Sequence, residues 1–153
     1  QFIQINMEIV NRKARHEYTV IEDYVAGLVL QGSEVKSIRA GKCNISDAYC
    51  YVSSKNEVWM KNSHISKYDS DRFTNHDELR ERKLLLTKRE IRKIAGEVLN
   101  PGITLIPLKI FVDERGLLKL VLGLCKGKKE YDKRETIKDR DSKKELNRIM
   151  KNY

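Results

Sequence analysis

The sequence is poor in the residues that form cross-links and metal sites. It contains three cysteines without a C-x-x-C pair and three widely separated histidines: Cys43, Cys50, Cys125, His16, His64 and His76. An odd cysteine count at these spacings indicates neither a disulfide framework nor a zinc site, so reduced cytosolic thiols are expected. The histidines do not stand at metal-ligand spacings. We therefore expect no metal and no cofactor.

Long apolar runs are also missing. No run reaches the roughly 18 apolar residues of a membrane span. The first ten residues, QFIQINMEIV, lack the basic-then-apolar order of a signal peptide. Both observations predict a cytoplasmic location and no membrane partner.

The motifs of common catalytic sites are absent from the sequence. It has no G-x-S-x-G, no H-E-x-x-H and no paired-carboxylate spacing, and Ser33, Glu34 and Asp47 form no such motif with a histidine. Gly41-Lys42 is not a phosphate-binding loop, because the upstream glycine and the following Ser or Thr are missing. We expect no catalytic residues and no enzymatic activity.

Positive charge is what the chain has in excess. Its 153 residues, the size of one domain, include 31 Lys and Arg against 22 Asp and Glu, a net charge of +9. Residues 126–153 alone hold 11 basic and 6 acidic residues, so this tail carries +5 of that excess. Such a surplus favours a polyanionic partner, nucleic acid before membrane. A lysine-rich composition or a solvated face is the alternative reading of the charge alone.

The apolar pattern predicts a mainly β chain with helices inserted between short strands. Pro107, which lacks an N–H, is expected at an edge or a bulge. Ile106, Leu108, Ile110 and Val112 are expected to share one face of their strand. Such an order suggests a small barrel or a highly curved sheet. The expected strands are Tyr18 with Val20 and Tyr24–Leu30, Tyr49–Val52, Val58–Met60, Ile106–Val112 and Leu118–Leu124, the last two joined by the turn Asp113–Gly116.

Two helical segments are expected within this pattern. The stronger begins with the capping box of Thr87 and Glu90, and its apolar residues follow a helical period. Those residues are Ile91, Ile94, Ala95, Val98 and Leu99. The weaker is a short turn that Ser33 can cap and Gly41 can end. Residues 61–83 are polar and show no clear period.

Two segments are candidates for contact with nucleic acid. Residues 11–18 interleave basic and ring side chains, a combination that suits phosphates and unpaired bases, although a solvated lead-in to the first strand fits equally well. Residues 126–153 have too little apolar content to fold alone. Four apolar residues nevertheless stand at helical spacing: Leu146, Ile149, Met150 and Tyr153. This spacing would allow a helix to form against a partner, although four residues can also align by chance.

Several motifs together resemble the SsrA-binding protein (SmpB) family of bacteria. The resemblance runs in order from about residue 11 to the end of the sequence. The motif centred on EVKS is the most specific of them. The matching motifs are NRKARH at 11–16, GSEVKSIRAGK at 32–42 with Asn44, Asp47 and Tyr49, RKLLL at 82–86, KGKK at 126–129, DKR at 132–134 and RIMK at 148–151.

This resemblance implies a small OB-like antiparallel β-barrel with two or three helices and a basic C-terminal tail. Residues 1–10 would be an N-terminal extension, 11–125 the RNA-binding barrel, and 126–153 a tail that is disordered when free and helical on the ribosome. The implied function is that of an adaptor that binds the tRNA-like domain of transfer-messenger RNA (tmRNA, or SsrA RNA) and delivers it to stalled ribosomes for trans-translation. The implied ribosomal contacts are the 16S rRNA and the mRNA channel. Elongation factor Tu would be an indirect partner through charged tmRNA, and a monomer is expected.

The resemblance also assigns roles to residues. The residues expected to bind the tRNA-like domain are Arg15, His16, Lys36, Arg39, Lys42, Leu85, Thr87, Lys128 and Lys129. Those expected to act on the ribosome are the hinge Gly127 and the tail residues Tyr131, Asp132, Lys133, Arg134, Ile149 and Met150. The sequence departs from the family pattern at three positions. Val25 stands where many members have Glu, Thr87 where Asn or His is commoner, and Tyr131 where some members have His. Two alternatives remain: another OB-type RNA-binding protein of the translation apparatus, and a nuclease.

Overall fold

A computed structural model describes residues 7–68 and 75–128 of the chain. The elements in this part are nine strands and three helices. They are β1 (Glu8–Val10), α1 (Arg12–Glu17), β2 (Tyr18–Leu28), α2 (Gly32–Arg39), β3 (Cys43–Asn44), β4 (Tyr49–Val52), β5 (Val58–Lys61), β6 (His64–Ile65), β7 (Arg82–Leu85), α3 (Lys88–Glu97), β8 (Ile103–Val112) and β9 (Leu118–Gly127). None of these helices is long and apolar enough to cross a membrane.

Six of the strands close into an antiparallel barrel. The hydrogen-bonded order is β8-β4-β5-β7-β2-β9, and β9 pairs again with β8 to complete the ring. β1 adds to the second half of β8, and β3 pairs with β6 in a separate two-stranded sheet. The expected mainly β, OB-like barrel with flanking helices is therefore confirmed.

The core fills the barrel and is closed by the helices. All four alternate leucines of β9, at 118, 120, 122 and 124, point into it, as their spacing predicts. Ile38 of α2 and Ile94 of α3 are fully buried and join the same cluster. Leu99, counted above among the apolar positions of α3, is instead 83% exposed because the helix ends at Glu97, before that residue.

The β8–β9 hairpin determines which side chains face the core. Gly116 adopts a left-handed φ of 80° in the turn. The register shifts between Pro107 and Lys109, so Pro107 lies at a bulge as expected. The bulge exchanges the two faces: Ile110 belongs to the main core, whereas Ile106 and Leu108 lie in a second cluster. The expectation that one face would run unbroken along this strand was wrong.

The N-terminal helix α1 was not foreseen from the sequence, which suggested only an RNA-binding or solvated lead-in. Asn11 caps it by accepting a hydrogen bond from the backbone N of Ala14, at 3.1 Å. The Asn11 amide also donates to the backbone oxygens of Ile45 and Pro107. These long-range bonds fix α1 against the barrel, and no local pattern encodes them.

The ends of the barrel differ in detail from the segments proposed above. Glu8–Val10 pair with β8, so part of the proposed N-terminal extension belongs to the sheet. β9 continues through Lys126 to Gly127, which pairs with Tyr18. The barrel therefore extends two residues beyond the boundary proposed at 125. The predictions for the tail from Lys129 onward lie outside the described residues.

Candidate nucleic-acid interface

Helix α2 and the turn after it present three basic residues of the most specific motif. Its N-cap is Gln31, whose backbone N donates to the Glu34 side chain at 2.8 Å, so the expected cap, Ser33, lies inside the helix instead. Gly41, with a φ of 76°, follows its end as expected. Lys36, Arg39 and Lys42 are all exposed. Two exposed cations thus lie on the helix and a third, Lys42, just after it.

Arg39 borders a groove that the sequence could not reveal. The groove has a volume of about 290 Å³ and is lined by Arg39, Leu85, Leu117 and Lys119 among others. Leu85 and Leu117 are each 52% exposed. An apolar floor with cations at its edge can hold an unpaired base while the cations contact phosphates. Lys119 was not among the predicted residues, and only the barrel closure shows its proximity.

Gly27 allows β2 to pass close beneath Leu85. The two residues are paired in the sheet, and a Cβ built on Gly27 would lie 3.2 Å from the Leu85 Cβ. That contact is tight enough to displace Leu85 by a few tenths of an ångström. The glycine that interrupts the β-rich run in the sequence therefore sets the depth of the groove.

Thr87 has a structural role at the start of α3. Its hydroxyl accepts from the backbone N of Glu90 and donates to the Glu90 carboxylate, at 3.2 and 2.9 Å. The predicted capping box is confirmed. The side chain is exposed, but its hydrogen-bonding capacity is already used in the cap. Its predicted contact with RNA stays a prediction.

A second group of predicted residues lies elsewhere on the barrel. The Lys128 side chain donates to the backbone oxygen of Arg15 at 3.0 Å, and its backbone N donates to that of Glu17 at 2.8 Å. His16 follows Arg15 in α1. This group sits at the Tyr18 end of β2, whereas the groove lies at the Gly27 end. The structure thus divides the predicted RNA-binding set between two surfaces.

Of the other predicted residues, the structure describes Gly127. Those outside the described residues are Lys129, Tyr131, Asp132, Lys133, Arg134, Ile149 and Met150. Gly127 is described: it ends β9 without a positive φ, and a Cβ there would meet no atom within 4 Å. Its conformation is open to any residue.

Sequence reasoning missed a buried ionic network beneath α2. Glu34 is completely buried, and its carboxylate contacts the guanidinium groups of Arg80 and Arg82. The Arg82 Nε lies 2.6 Å from Glu34 Oε2, and Arg82 is itself completely buried. Its other nitrogens donate to the oxygens of Ser63, Asp77 and Glu78. The network joins α2 to the segments before and within β7, which carries Leu85.

The pKa of Glu34 follows from its neighbours. Burial acts to raise it, because the charged form loses its hydration. Hydrogen bonds from Arg80, from the backbone of Gln31 and from Arg82 outweigh burial and hold the pKa of Glu34 below its ordinary value. The carboxylate is therefore charged at neutral pH and acts as the common partner of two cations.

Ser33 and His76 form a buried pair in the same region. Ser33 Oγ lies 2.8 Å from His76 Nδ1, and His76 Nε2 lies 2.9 Å from the backbone oxygen of Ile65. Because a carbonyl oxygen only accepts, His76 Nε2 donates to Ile65, and Nδ1 shares the second hydrogen bond with the Ser33 hydroxyl. Both side chains are almost fully buried, and the neighbouring carboxylate Glu34 binds arginines instead. The pair therefore ties α2 to the chain beside β6.

The thiols and acidic groups form no chemical centre in the described residues. Burial raises the pKa of Cys43 and of Cys125 to about 11 in each case, and also raises that of Cys50. All three are free thiols, neutral near pH 7. Within residues 7–68 and 75–128, no group of three His, Cys, Asp or Glu residues could hold a metal ion.

Comparison with known proteins identifies the family. A family model described as SmpB protein matches residues 8–152. This chain belongs to the SmpB family. It is 48% identical over 145 residues to the SsrA-binding protein of Phocaeicola vulgatus, and this alignment covers 95% of this chain and 96% of that protein. It is 49% identical over 147 residues to that of Flavobacterium psychrophilum, with coverage of 96% and 97%.

A solved SmpB structure has a similar fold. It is described as “tmRNA-SmpB: a journey to the center of the bacterial ribosome”. The match has a TM-score of 0.67 at 44% sequence identity and covers 80% of this chain and 85% of that one. The resemblance drawn from the sequence motifs is thereby confirmed.

Proposed function

We propose that this SmpB-family chain is an RNA-binding adaptor that binds the tRNA-like domain of tmRNA and delivers it to stalled ribosomes for trans-translation. Its relatives are SsrA-binding proteins, and the similar solved structure concerns tmRNA-SmpB and the bacterial ribosome. The chain acts without catalysing a reaction, in the cytoplasm and as a monomer. Elongation factor Tu takes part indirectly, through charged tmRNA.

The observation that carries the proposal is the basic edge of the groove between α2 and the barrel. Arg39 and Lys119 border a groove in which Leu85 and Leu117 are half exposed. The Arg39 side chain is held in place by donating to the backbone oxygen of Gly116 at 2.7 Å. A fixed cation beside an apolar floor suits an RNA loop, because phosphates and unstacked bases are available together there.

Replacing Lys36, Arg39 and Lys42 together by Ala should weaken binding to the transcribed tRNA-like domain while the protein stays folded. Each lost phosphate contact should lower the slope of log affinity against log salt by roughly 0.7–0.9. The measurement is a filter-binding or anisotropy titration at several salt concentrations. The matched control replaces Lys55, Lys61 and Lys109, three exposed or half-exposed lysines on other strands and turns, by Ala.

Three results would count against this assignment. An unchanged affinity and slope in the triple variant would remove α2 from the interface. If the unmodified protein bound a 16S rRNA fragment more tightly than the tRNA-like domain, another RNA-binding role in translation would fit better. Loss of labelled RNA on incubation with Mg²⁺ would indicate a nuclease instead of a binder.

Gly127→Glu should abolish tagging of the stalled peptide and leave the thermal midpoint nearly unchanged. The open space around Gly127 and its ordinary backbone angles mean that a side chain there strains nothing in the barrel. As a surface change it should alter the free energy of unfolding by no more than about 0.5 kcal/mol. The loss would come from crowding and charge where the chain leaves the barrel toward RNA. Tagging in a translation reaction on a truncated message is the readout.

Gly123, four residues earlier in β9, provides the control for that experiment. A Cβ on Gly123 would lie 2.8 Å from Leu108 Cδ1 and 3.0 Å from Cys125 Sγ. Gly123→Ala should therefore lower the free energy of unfolding by about 1–3 kcal/mol through overpacking. Normal tagging by Gly127→Glu would disprove the hinge role.

A further inference from the structure

Helix α3 carries a concentrated positive surface that the proposed interface does not yet include. Four of its first six residues are basic: Lys88, Arg89, Arg92 and Lys93. At about 100° per residue, they occupy an arc of about 140° on the side away from the buried Ile94. The helix therefore has a basic face on the side away from its buried apolar face.

Two carboxylates near this arc are already engaged. Glu90 accepts from the backbone N and the hydroxyl of Thr87 in the cap. Glu22 of β2 pairs with Lys93 at 2.7 Å. In the part of the chain that the structure describes, no carboxylate lies within ion-pair distance of Lys88, Arg89 or Arg92. These three cations are thus available to an external anion.

The position of two of these cations is unfavourable for the helix itself. Lys88 and Arg89 occupy the first turn of α3, where the helix dipole favours acidic side chains and disfavours basic ones. Folding alone gives no reason for positive charge there. A requirement to bind an anion would explain the positive charge at this position.

The basic residues of α3 closely follow the groove residue Leu85 in the chain. Leu85 lines the groove, and α3 begins three residues later. Lys88 and Arg92 are one helical turn apart, a rise of about 6 Å along the axis. An RNA bound in the groove would therefore have phosphates near the start of this helix.

We propose that Lys88, Arg89 and Arg92 of α3 form a second contact with the phosphate backbone of the same RNA that occupies the groove. This inference rests on the proposed function and extends it from α2 to the helix that follows Leu85. The helix recognises phosphate charge and not base sequence, so it adds affinity and orientation without selecting bases.

The test compares the full chain with the variant Lys88→Gln, Arg89→Gln, Arg92→Gln. Glutamine has nearly the same helix propensity as lysine and arginine, so α3 should persist. Binding to the transcribed tRNA-like domain should weaken at least about tenfold, and the salt slope should fall by about 2 for three contacts. The thermal midpoint should stay the same or rise, because charges unfavourable to the helix dipole are removed. The control with the same loss of charge is Lys55→Gln, Lys61→Gln, Lys109→Gln.

Each outcome decides the inference. Weaker binding with a lower slope in the α3 variant alone supports it. Equal losses in the α3 and control variants indicate a general charge effect and overturn it. Unchanged binding by the α3 variant also overturns it and leaves the proposed function intact, since the unmodified chain still binds. If the unmodified chain shows no preference for the tRNA-like domain over an unrelated RNA of equal length, the proposed function fails and this inference with it.

Discussion

Glu34→Gln should lower the free energy of unfolding by about 3–5 kcal/mol. The substitution keeps the shape of the side chain but leaves the buried Arg82 without its charged partner, and Arg80 loses the same carboxylate. An uncompensated buried charge is among the largest single penalties in a protein core. Urea unfolding at pH 7, followed by tryptophan fluorescence, measures the change.

An exposed carboxylate gives the matched control. Glu8 pairs with Lys109 at 3.3 Å, and both side chains are well solvated. Glu8→Gln should shift the urea midpoint far less than Glu34→Gln, because water already screens that pair. Equal shifts in the two variants would show that the Glu34 network contributes no more than a surface ion pair.

The pH dependence provides a second check on Glu34. Its pKa is held below the ordinary 4.5, so the folded state binds fewer protons there than the unfolded state. The stabilisation is therefore complete above pH 4.5 and is lost as the pH falls through the folded value. The difference in stability between the unmodified chain and Glu34→Gln should shrink on acidification below pH 4.5. A difference that stays constant in this range would mean that Glu34 is not the titrating partner.

Deleting residues 130–153 should abolish tagging on stalled ribosomes and change the affinity for the isolated tRNA-like domain by less than about tenfold. The deleted segment holds eight of the chain's 31 basic residues, but α2 and the groove lie entirely in the retained part. Since that surface makes the proposed contact, most of the binding free energy should remain. Titration of the isolated domain and a tagging reaction on a truncated message give the two measurements.

The variant Ile149→Asp, Met150→Asp separates the length of the tail from its apolar contact. It keeps the full chain but places carboxylates on the helical-spacing stripe expected to meet the ribosome. It should lose tagging as the deletion does and bind the isolated domain nearly as the unmodified chain does. Normal tagging by the deletion, or complete loss of its RNA binding, would contradict this division of roles.

Local signals were sufficient for much of the fold. The Thr87–Glu90 capping box, the turn ending at Gly116 and the alternate leucines of β9 were correctly predicted from neighbouring residues. Each of these features is determined within a few residues of chain. The motif around Glu34 likewise identified the family, because its length and order make a chance match improbable.

Features that depend on barrel closure could not be predicted in this way. The bulge at Pro107 reverses the faces of β8, and Asn11 caps α1 while bonding to residues 34 and 96 positions away. A one-residue slip in register moves every later side chain to the other face, and only the partner strand determines where the slip occurs.

The sequence by itself determined the family and the mainly β architecture, and it supplied the candidate basic residues. The tertiary structure alone decided how they are grouped: Arg39 and Lys119 line one groove with Leu85, whereas Lys128 joins Arg15 at the other end of β2. It also brought Arg82 to Glu34 across 48 positions. A buried charge needs a partner, but the identity of that partner depends on which strands the closed barrel places side by side. That choice comes from non-local packing and hydrogen bonding, which no stretch of neighbouring residues encodes.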